Sequence, residues 1–278
     1  MTWRSIVKCS ASVPEVRNPR PPQARSHRSY QERFQIFSTR EIAALRRGGR
    51  ILHDCLAHVA GLVRPGLSTI ALDRQAESFI RDRGALPAFK GYRGFPATLC
   101  TSVNEVCVHG IPSEAPLREG DIVALDCGVL CDGLHTDACV TVPVGRITPR
   151  AQALLAATVL SLDQGLRHVR AGVHTGDVSA AIHETLREAG FDAVRALTGH
   201  GLGVDLHQFP DIPNIGKRGT GPVLPLHTIV AIEPISTAGS VDIREDPDGW
   251  TLRISDGSLS AHFENTVLVV EDGCEVLT

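Results

Sequence analysis

The chain contains no long apolar run. No stretch of its 278 residues approaches the roughly 18 uninterrupted apolar positions of a membrane-spanning helix. The first 20 residues also lack the apolar block of a secretory signal. The expected setting is therefore the cytoplasm, with no membrane partner. Also missing is any cysteine grouping at zinc-finger spacing: Cys127 and Cys131 have no second pair to complete a structural zinc site. The eight cysteines are spread through helix-like and strand-like runs of a sizeable chain instead of being packed into a small scaffold. They read as free thiols and not as a disulfide framework. With 42% hydrophobic residues, the chain can bury a substantial core, as one large domain or two small ones.

Charge is uneven. Residues 1–37 hold seven Lys or Arg and two acids, leaving 21 basic and 29 acidic residues for 38–278, so the first segment is net +5 and the remainder −8. Pro14 to Gln35, with Pro19, Pro21, Pro22 and scattered arginines, offers too little apolar surface to order itself. Residues 1–37 are expected to be a flexible basic extension, most simply a solvated tail. The functional alternative is a transient ribosome contact, with the positive charge facing ribosomal RNA.

From Ser38 onward the pattern is that of an α+β domain. Ser38-Thr39-Arg40-Glu41 is a capping box, and apolar positions 42, 45, 52, 56 and 59 continue at helical spacing. Helix pairs are expected at about 39–84 and 149–190, with strand-rich stretches at 98–109, 121–130, 135–144, 228–236, 250–254 and 259–270. Asp132-Gly133 between two strand runs predicts a tight hairpin.

The domain repeats itself. Val63-Arg-Pro-Gly-Leu-Ser-Thr69 returns 106 residues later as Val169-Arg-Ala-Gly-Val-His-Thr175, and Ile122-Val-Ala-Leu-Asp126 returns after 107 as Ile229-Val-Ala-Ile-Glu233. His109-Gly-Ile-Pro112 pairs with His207-Gln-Phe-Pro210, and His135-Thr-Asp137 with His262-Phe-Glu264. A duplicated half that contributes acids places them about a pseudo-twofold axis, so they converge where the halves meet.

Five residues then stand out as candidate metal ligands: Asp126, Asp137, His200, Glu233 and Glu264. A carboxylate at the inner end of a β-branched run must be paired, protonated or metal-bound, because a lone buried charge costs several kcal/mol. Four carboxylates and one imidazole form an oxygen-rich set suited to Mn, Fe(II), Co or Zn. That much negative charge calls for two cations, the usual hydrolytic pair. His200 lies in Gly199-His-Gly-Leu-Gly203, where glycines let chain and substrate approach closely. His109 and His207 remain free to donate hydrogen bonds to a substrate carbonyl.

These motifs together, Asn104-Glu-Val-Cys-Val-His109-Gly-Ile-Pro112, Asp126, Asp137, Gly199-His-Gly-Leu-Gly203, Ile232-Glu-Pro234 and Glu264-Asn-Thr266, resemble those of the type I methionine aminopeptidases, over about residues 36–278. The resemblance implies the pita-bread α+β fold, a dinuclear metal centre, and removal of the initiator methionine from nascent polypeptides when the second residue is small, by a monomer. It implies that Asp126 chelates one metal, that Asp137 and Glu264 bridge both, and that His200 and Glu233 hold the other. Glu233 would also shuttle the proton, His109 would contact the scissile amide nitrogen, and His207 its carbonyl oxygen. The methionine pocket falls on Tyr92, Phe95, Cys100, Leu206 and Trp250. An unbranched thioether suits aromatic walls.

Some positions depart from the family pattern. Leu206 replaces a frequent aromatic, Gln208-Phe209 follows His207 where a Glu is usual, and Pro225-Leu-His227 replaces a Pro-Gly turn. A proline-specific peptidase on the same fold would usually carry a long extra N-terminal domain, and a non-catalytic binding relative would usually have lost ligands. All five are present here.

Overall fold

The computed structural model describes residues 33–278, so most of the expected flexible extension lies outside the described residues. Two aromatics among its last five positions do not match the expectation. Phe37 is 2% exposed, its N–H donates to the His227 carbonyl at 3.0 Å, and its ring fills the space where a Cβ on Gly203 would stand. Phe34 meets Phe209 edge to face, with centroids 4.8 Å apart. The folded domain thus begins by Phe34, ahead of the expected Ser38 boundary. The capping box marks where the helix starts, whereas the two preceding aromatics belong to the core.

In the first half, helices α1 (Thr39–Leu62) and α2 (Thr69–Arg81) precede strands β1 (Leu86–Pro87), β2 (Leu99–Val103), β3 (Val106–Val108), β4 (Ile122–Cys131) and β5 (Leu134–Pro143). The second half opens with α3 (Pro149–His168) and α4 (Thr175–Glu188). Strands β6 (Asp192–Ala193), β7 (Thr198–Gly201), β8 (Gln208–Pro213), β9 (Ile229–Ile232) and β10 (Ile235–Thr237) follow. The chain ends through β11 (Ile243–Glu245), β12 (Leu252–Ile254), β13 (Ser260–His262), β14 (Glu264–Val269) and β15 (Cys274–Val276). Ser38 caps α1 reciprocally with Glu41: the Ser38 N–H donates to Glu41 Oε2 at 2.8 Å, and the Glu41 N–H donates to Ser38 Oγ at 3.4 Å. Thr148 caps α3 ahead of Pro149, whose missing N–H costs nothing in the first turn.

Both halves use the same joints. The Gly66 N–H donates to the Leu117 carbonyl and the Gly172 N–H to the Leu224 carbonyl, each at 2.8 Å, and both glycines have positive φ. His227, at φ 63°, occupies the position 107 residues after Gly120, at φ 94°. The unusual Pro225-Leu-His227 therefore keeps the turn of the first half, with a histidine in the left-handed conformation. The expected Asp132-Gly133 hairpin is present, with φ of 51° and 80°, the two positive values of a type I′ turn.

Nine strands form one antiparallel sheet in the order β1-β4-β5-β14-β9-β7-β8, with β2 on β4 and β15 on β14. Alternation along the strands decides what faces what. On β4, Val123, Leu125, Cys127 and Val129 enter a core shared with Leu52, Leu56 and Val59 of α1 and Leu72 and Ile80 of α2. Val230 and Ile232 of β9 and Val267 and Val269 of β14 pack beneath α3 and α4. The intervening positions turn to the opposite face. That face carries Asp126 and Glu264.

Candidate metal centre

Strand register assembles the acids. Cys139 of β5 pairs with Asp126 on one side and with Glu264 on the other, and Cys100 of β2 pairs with Asp126. Asp137 lies two residues from Cys139 on the same face, diagonal to Asp126. Asn265 pairs with Ile232, so one further step brings Glu233 opposite Glu264. His200 pairs with Ala231, two residues before Glu233. Five positions scattered along the chain thus share one face because antiparallel pairing keeps their parity.

The register of β7 against β8 shifts between His200 and Gly201, a bulge that re-aims the histidine. Any Cβ at Gly199 or Gly201 would collide with the carbonyls of Ala231 or Phe209. That is why glycines flank the histidine. His200 Nδ1 lies 2.9 Å from the Gly201 carbonyl, which can only accept, so the proton sits on Nδ1. The Nε2 lone pair is left free on the side of Glu233 Oε1, 3.4 Å away.

The cluster is closed to water, with Asp126, Asp137, His200, Glu233 and Glu264 between 3% and 9% exposed. Among the described residues none of its acids forms an ion pair with Arg or Lys. Asp126 Oδ1, Asp137 Oδ1 and Glu264 Oε1 have no hydrogen-bond partner. Burial pushes the Asp126 carboxyl up to about 7. Burial first, and mutual repulsion second, raise Asp137, Glu233 and Glu264 well above the carboxylate range. Buried acids without cations, with oxygens aimed at one another and at a neutral imidazole, fit divalent metal ions. Two triads have ligand atoms within 4.8 Å of one another, Asp137-His200-Glu264 and Glu233-His262-Glu264. Glu264 is common to both. Asp126 lies outside either triad, beside Asp137, close enough for the two carboxyls to share a proton.

These shifts give a signed expectation. At pH 6 the metal-free carboxyls hold protons, while burial lowers His200 to about 4 and leaves it neutral. Metal binding must therefore expel protons, and affinity should rise with pH through about 7, the value to which Asp126 is pushed. Calorimetry at pH 6 in two buffers of different ionisation enthalpy should give different apparent heats. Equal heats, or an affinity flat between pH 5.5 and 7.5, would contradict the protonated cluster. Asp126 itself stabilises the metal-free fold fully below the ordinary carboxylate pKa, and that contribution is lost as pH rises through about 7.

All five positions read from the sequence as the methionine pocket fall in one apolar cluster. Phe95, Cys100 and Leu206 are buried there, with Tyr92 and Trp250 packed against them. Phe95 and Trp250 meet edge to face at 5.1 Å. Burial holds Cys100 as a thiol, well above the usual cysteine range, so it offers no thiolate to the neighbouring acids. Ala88, Phe89 and Ala97 also line the cluster. No sequence motif marks them, because they come from the irregular connection between β1 and β2.

His109 and His207 both reach this boundary. The His109 ring lies 6.2 Å from Trp250, and its backbone is in the left-handed region at φ 58°, a conformation that costs a non-glycine residue about 1 kcal/mol or more. The His207 ring sits between Tyr92 and His200, with centroids at 5.4 and 4.3 Å. Although the residue is exposed at one edge, desolvation by these groups and repulsion from the neighbouring histidines lower its pKa. Its Nδ1 is 3.1 Å from the Tyr92 hydroxyl. If that hydroxyl donates, the imidazole proton sits on Nε2. The Gln208 side chain accepts from the Asp205 N–H at 3.2 Å, and Phe209 meets Phe34. Gln208 thus braces the loop internally, while Phe209 holds it to the domain's first residues. One residue of the cluster escaped sequence reasoning as a ligand: His262. Its signal was the echo of His135-Thr-Asp137 in His262-Phe-Glu264.

Comparison with known proteins agrees with this geometry. Residues 43–271 match metallopeptidase family M24. The chain is 43% identical over 238 residues to methionine aminopeptidase of Clostridium perfringens, across 86% of this chain and 96% of that one. It is 40% identical over 248 residues to methionine aminopeptidase 1 of Mycobacterium tuberculosis, across 87% and 93%. The crystal structure of methionine aminopeptidase from Rickettsia prowazekii matches with a TM-score of 0.87 at 35% identity, covering 88% of this chain and 100% of that one. An Xaa-Pro dipeptidase from Bacillus anthracis, 23% identical, shares the pita-bread fold at a TM-score of 0.72 over 87% of this chain and 61% of its own. Similarity that spans nearly the whole of each aminopeptidase places the chain in metallopeptidase family M24, among the methionine aminopeptidases.

Proposed function

We propose that this protein is a dinuclear-metal methionine aminopeptidase that removes the N-terminal methionine of polypeptides whose second residue is small. The observation that carries the reading is the set of buried carboxylates without Arg or Lys partners, set beside an apolar pocket walled by Tyr92, Phe95 and Trp250. Asp126, Asp137, His200, Glu233 and Glu264 would hold two divalent ions. Mn, Fe(II), Co and Zn all suit this donor set. When bound, such a pair supplies an activated water and positive charge for the developing oxyanion.

The chain's own groups do the rest. Glu233 takes the proton from the attacking water and returns it to the leaving amine, a general-base role suited to a carboxyl whose pKa burial has raised. The Asn214 amide donates to the Glu233 carbonyl at 2.9 Å and fixes its backbone. Desolvation by the surrounding groups lowers the pKa of half-buried His109 and of His207, with repulsion from the neighbouring histidines adding to it at His207. Both act as neutral hydrogen-bond donors, to the scissile nitrogen and carbonyl respectively. Tyr92 orients His207, and the cluster of Tyr92, Phe95, Cys100, Leu206 and Trp250 receives the methionine thioether.

The proposed setting is the cytoplasm, with nascent-chain N-termini as substrates, a monomeric enzyme, and any transient ribosome contact made by the basic extension. Among the described residues no helix is long and apolar enough to cross a membrane. Metal-free protein given Co or Mn is expected to release methionine from Met-Gly-type and Met-Ala-type peptides, and far more slowly from Met-Leu-type peptides. Chromatographic detection of free methionine checks this. Equal cleavage of all three classes would remove the small-residue preference, and no cleavage with any metal would remove the activity.

A further inference from the structure

His262 stands apart from the five ligands that the family resemblance supplies. It is 3% exposed, and its Nε2 has no hydrogen-bond partner. That nitrogen lies 3.6 Å from Glu233 Oε2 and 3.7 Å from Glu264 Oε2, too far for hydrogen bonds. It is near enough to share a cation with both, since the three ligand atoms fall within 4.8 Å of one another. The backbone beneath the ring is fixed. The His262 N–H donates to Thr141 Oγ1 at 2.9 Å, the Thr141 hydroxyl donates to the His262 carbonyl at 2.7 Å, and Ile235 of β10 pairs with it in register. A buried imidazole nitrogen facing two carboxylates without a bond to either is under-satisfied in a way that a metal ion corrects.

We propose that His262 is a further ligand of the metal centre, adding its Nε2 to the ion held by Glu233 and Glu264, so that the centre contains two imidazole donors. The inference rests on the metallopeptidase reading above. Its chemical consequence concerns metal choice. A second nitrogen donor favours Co, Zn and Fe(II) over Mn, which is better served by oxygen. The centre of this protein should therefore discriminate against Mn more strongly than a five-ligand centre with one histidine.

The test counts imidazoles in the full chain loaded with Co(II). Each coordinated histidine gives a strongly hyperfine-shifted, solvent-exchangeable N–H signal in the proton NMR spectrum. Two such signals are expected, from His200 and His262, with one lost in His262→Gln. Calorimetric affinity for Co(II) should fall roughly tenfold or more in that variant, with a smaller fall for Mn(II). A single signal in the parent protein overturns the proposal while leaving the five-ligand centre intact, and this count needs no variant to fold. A signal pattern and Co-to-Mn affinity ratio unchanged in His262→Gln overturn it as well. Failure of Co(II) to bind at all removes the metal centre itself, and this inference with it.

Discussion

Replacing Glu233 with Gln is expected to lower kcat for a Met-Ala-type peptide by about 100- to 10,000-fold, the range that a positioned general acid–base contributes. The change is nearly isosteric and removes both the proton-accepting oxygen and one anionic ligand. Two consequences are separable. Metal affinity should weaken because the centre loses a negative charge, so activity must be compared at saturating metal, with content checked by elemental analysis. The residual rate at saturation then reports the proton transfer alone. The fold should survive, since Glu233 contributes no apolar packing and its backbone carbonyl is held by the Asn214 amide. A metal-saturated variant that cleaves like the parent would exclude Glu233 as the base. His109→Ala and His207→Ala, which remove donors and not the base, are expected to cost less.

The second large effect lies outside the centre. Phe37→Ala should destabilise the domain by about 3–5 kcal/mol, the usual result of emptying a buried aromatic site. Phe37 packs with Leu45, Leu202, Ile229 and Leu268, and its ring covers Gly203 at the end of the glycine segment that carries His200. Loss of that support should lower the thermal midpoint by about 10 °C and loosen metal binding through His200. A chain beginning at Arg33 should match the full chain in midpoint and activity. One beginning at Ser38 should resemble Phe37→Ala. Identical thermal midpoints for the chains beginning at Arg33 and Ser38 would show that residues 34–37 contribute no packing.

What was legible in the sequence followed from periodicity and repetition. The helix pairs, the Asp132-Gly133 hairpin and the principal strands rest on local patterns, and the structure places them where those patterns put them. The 106- and 107-residue offsets foretold equivalent joints, and Gly66 and Gly172 make the same backbone bond in both halves. The ligand strands were legible because a carboxylate ending a β-branched run violates the burial rule unless something compensates. The Ser38 boundary was misplaced for a complementary reason. Phe34 and Phe37 are single aromatics after a proline- and arginine-rich stretch, and nothing local shows that Gly203 and Phe209, more than 160 residues away in sequence, leave gaps for them.

His262 shows the same limit within the centre. Its spacing to Glu264 was visible as an echo of His135 and Asp137, yet spacing does not say which way a ring points. His135 is half-buried, with its backbone N–H donating to the Gly203 carbonyl at 2.7 Å, whereas the His262 ring is enclosed beside Glu233 and Glu264.

The sequence by itself determined the fold class and the duplicated halves and singled out four acids and one histidine as candidate ligands, each through local pattern or motif. The five candidate pocket positions came from the family resemblance. Tertiary structure alone decided that Cys139 sets Asp126 and Glu264 in one row, that Glu264 is common to both ligand triads, and that Phe34 and Phe37 close the domain. It alone brought a second imidazole to the acids. Those outcomes depend on strand register and on gaps between distant segments, and both are fixed only when nonlocal surfaces pack together.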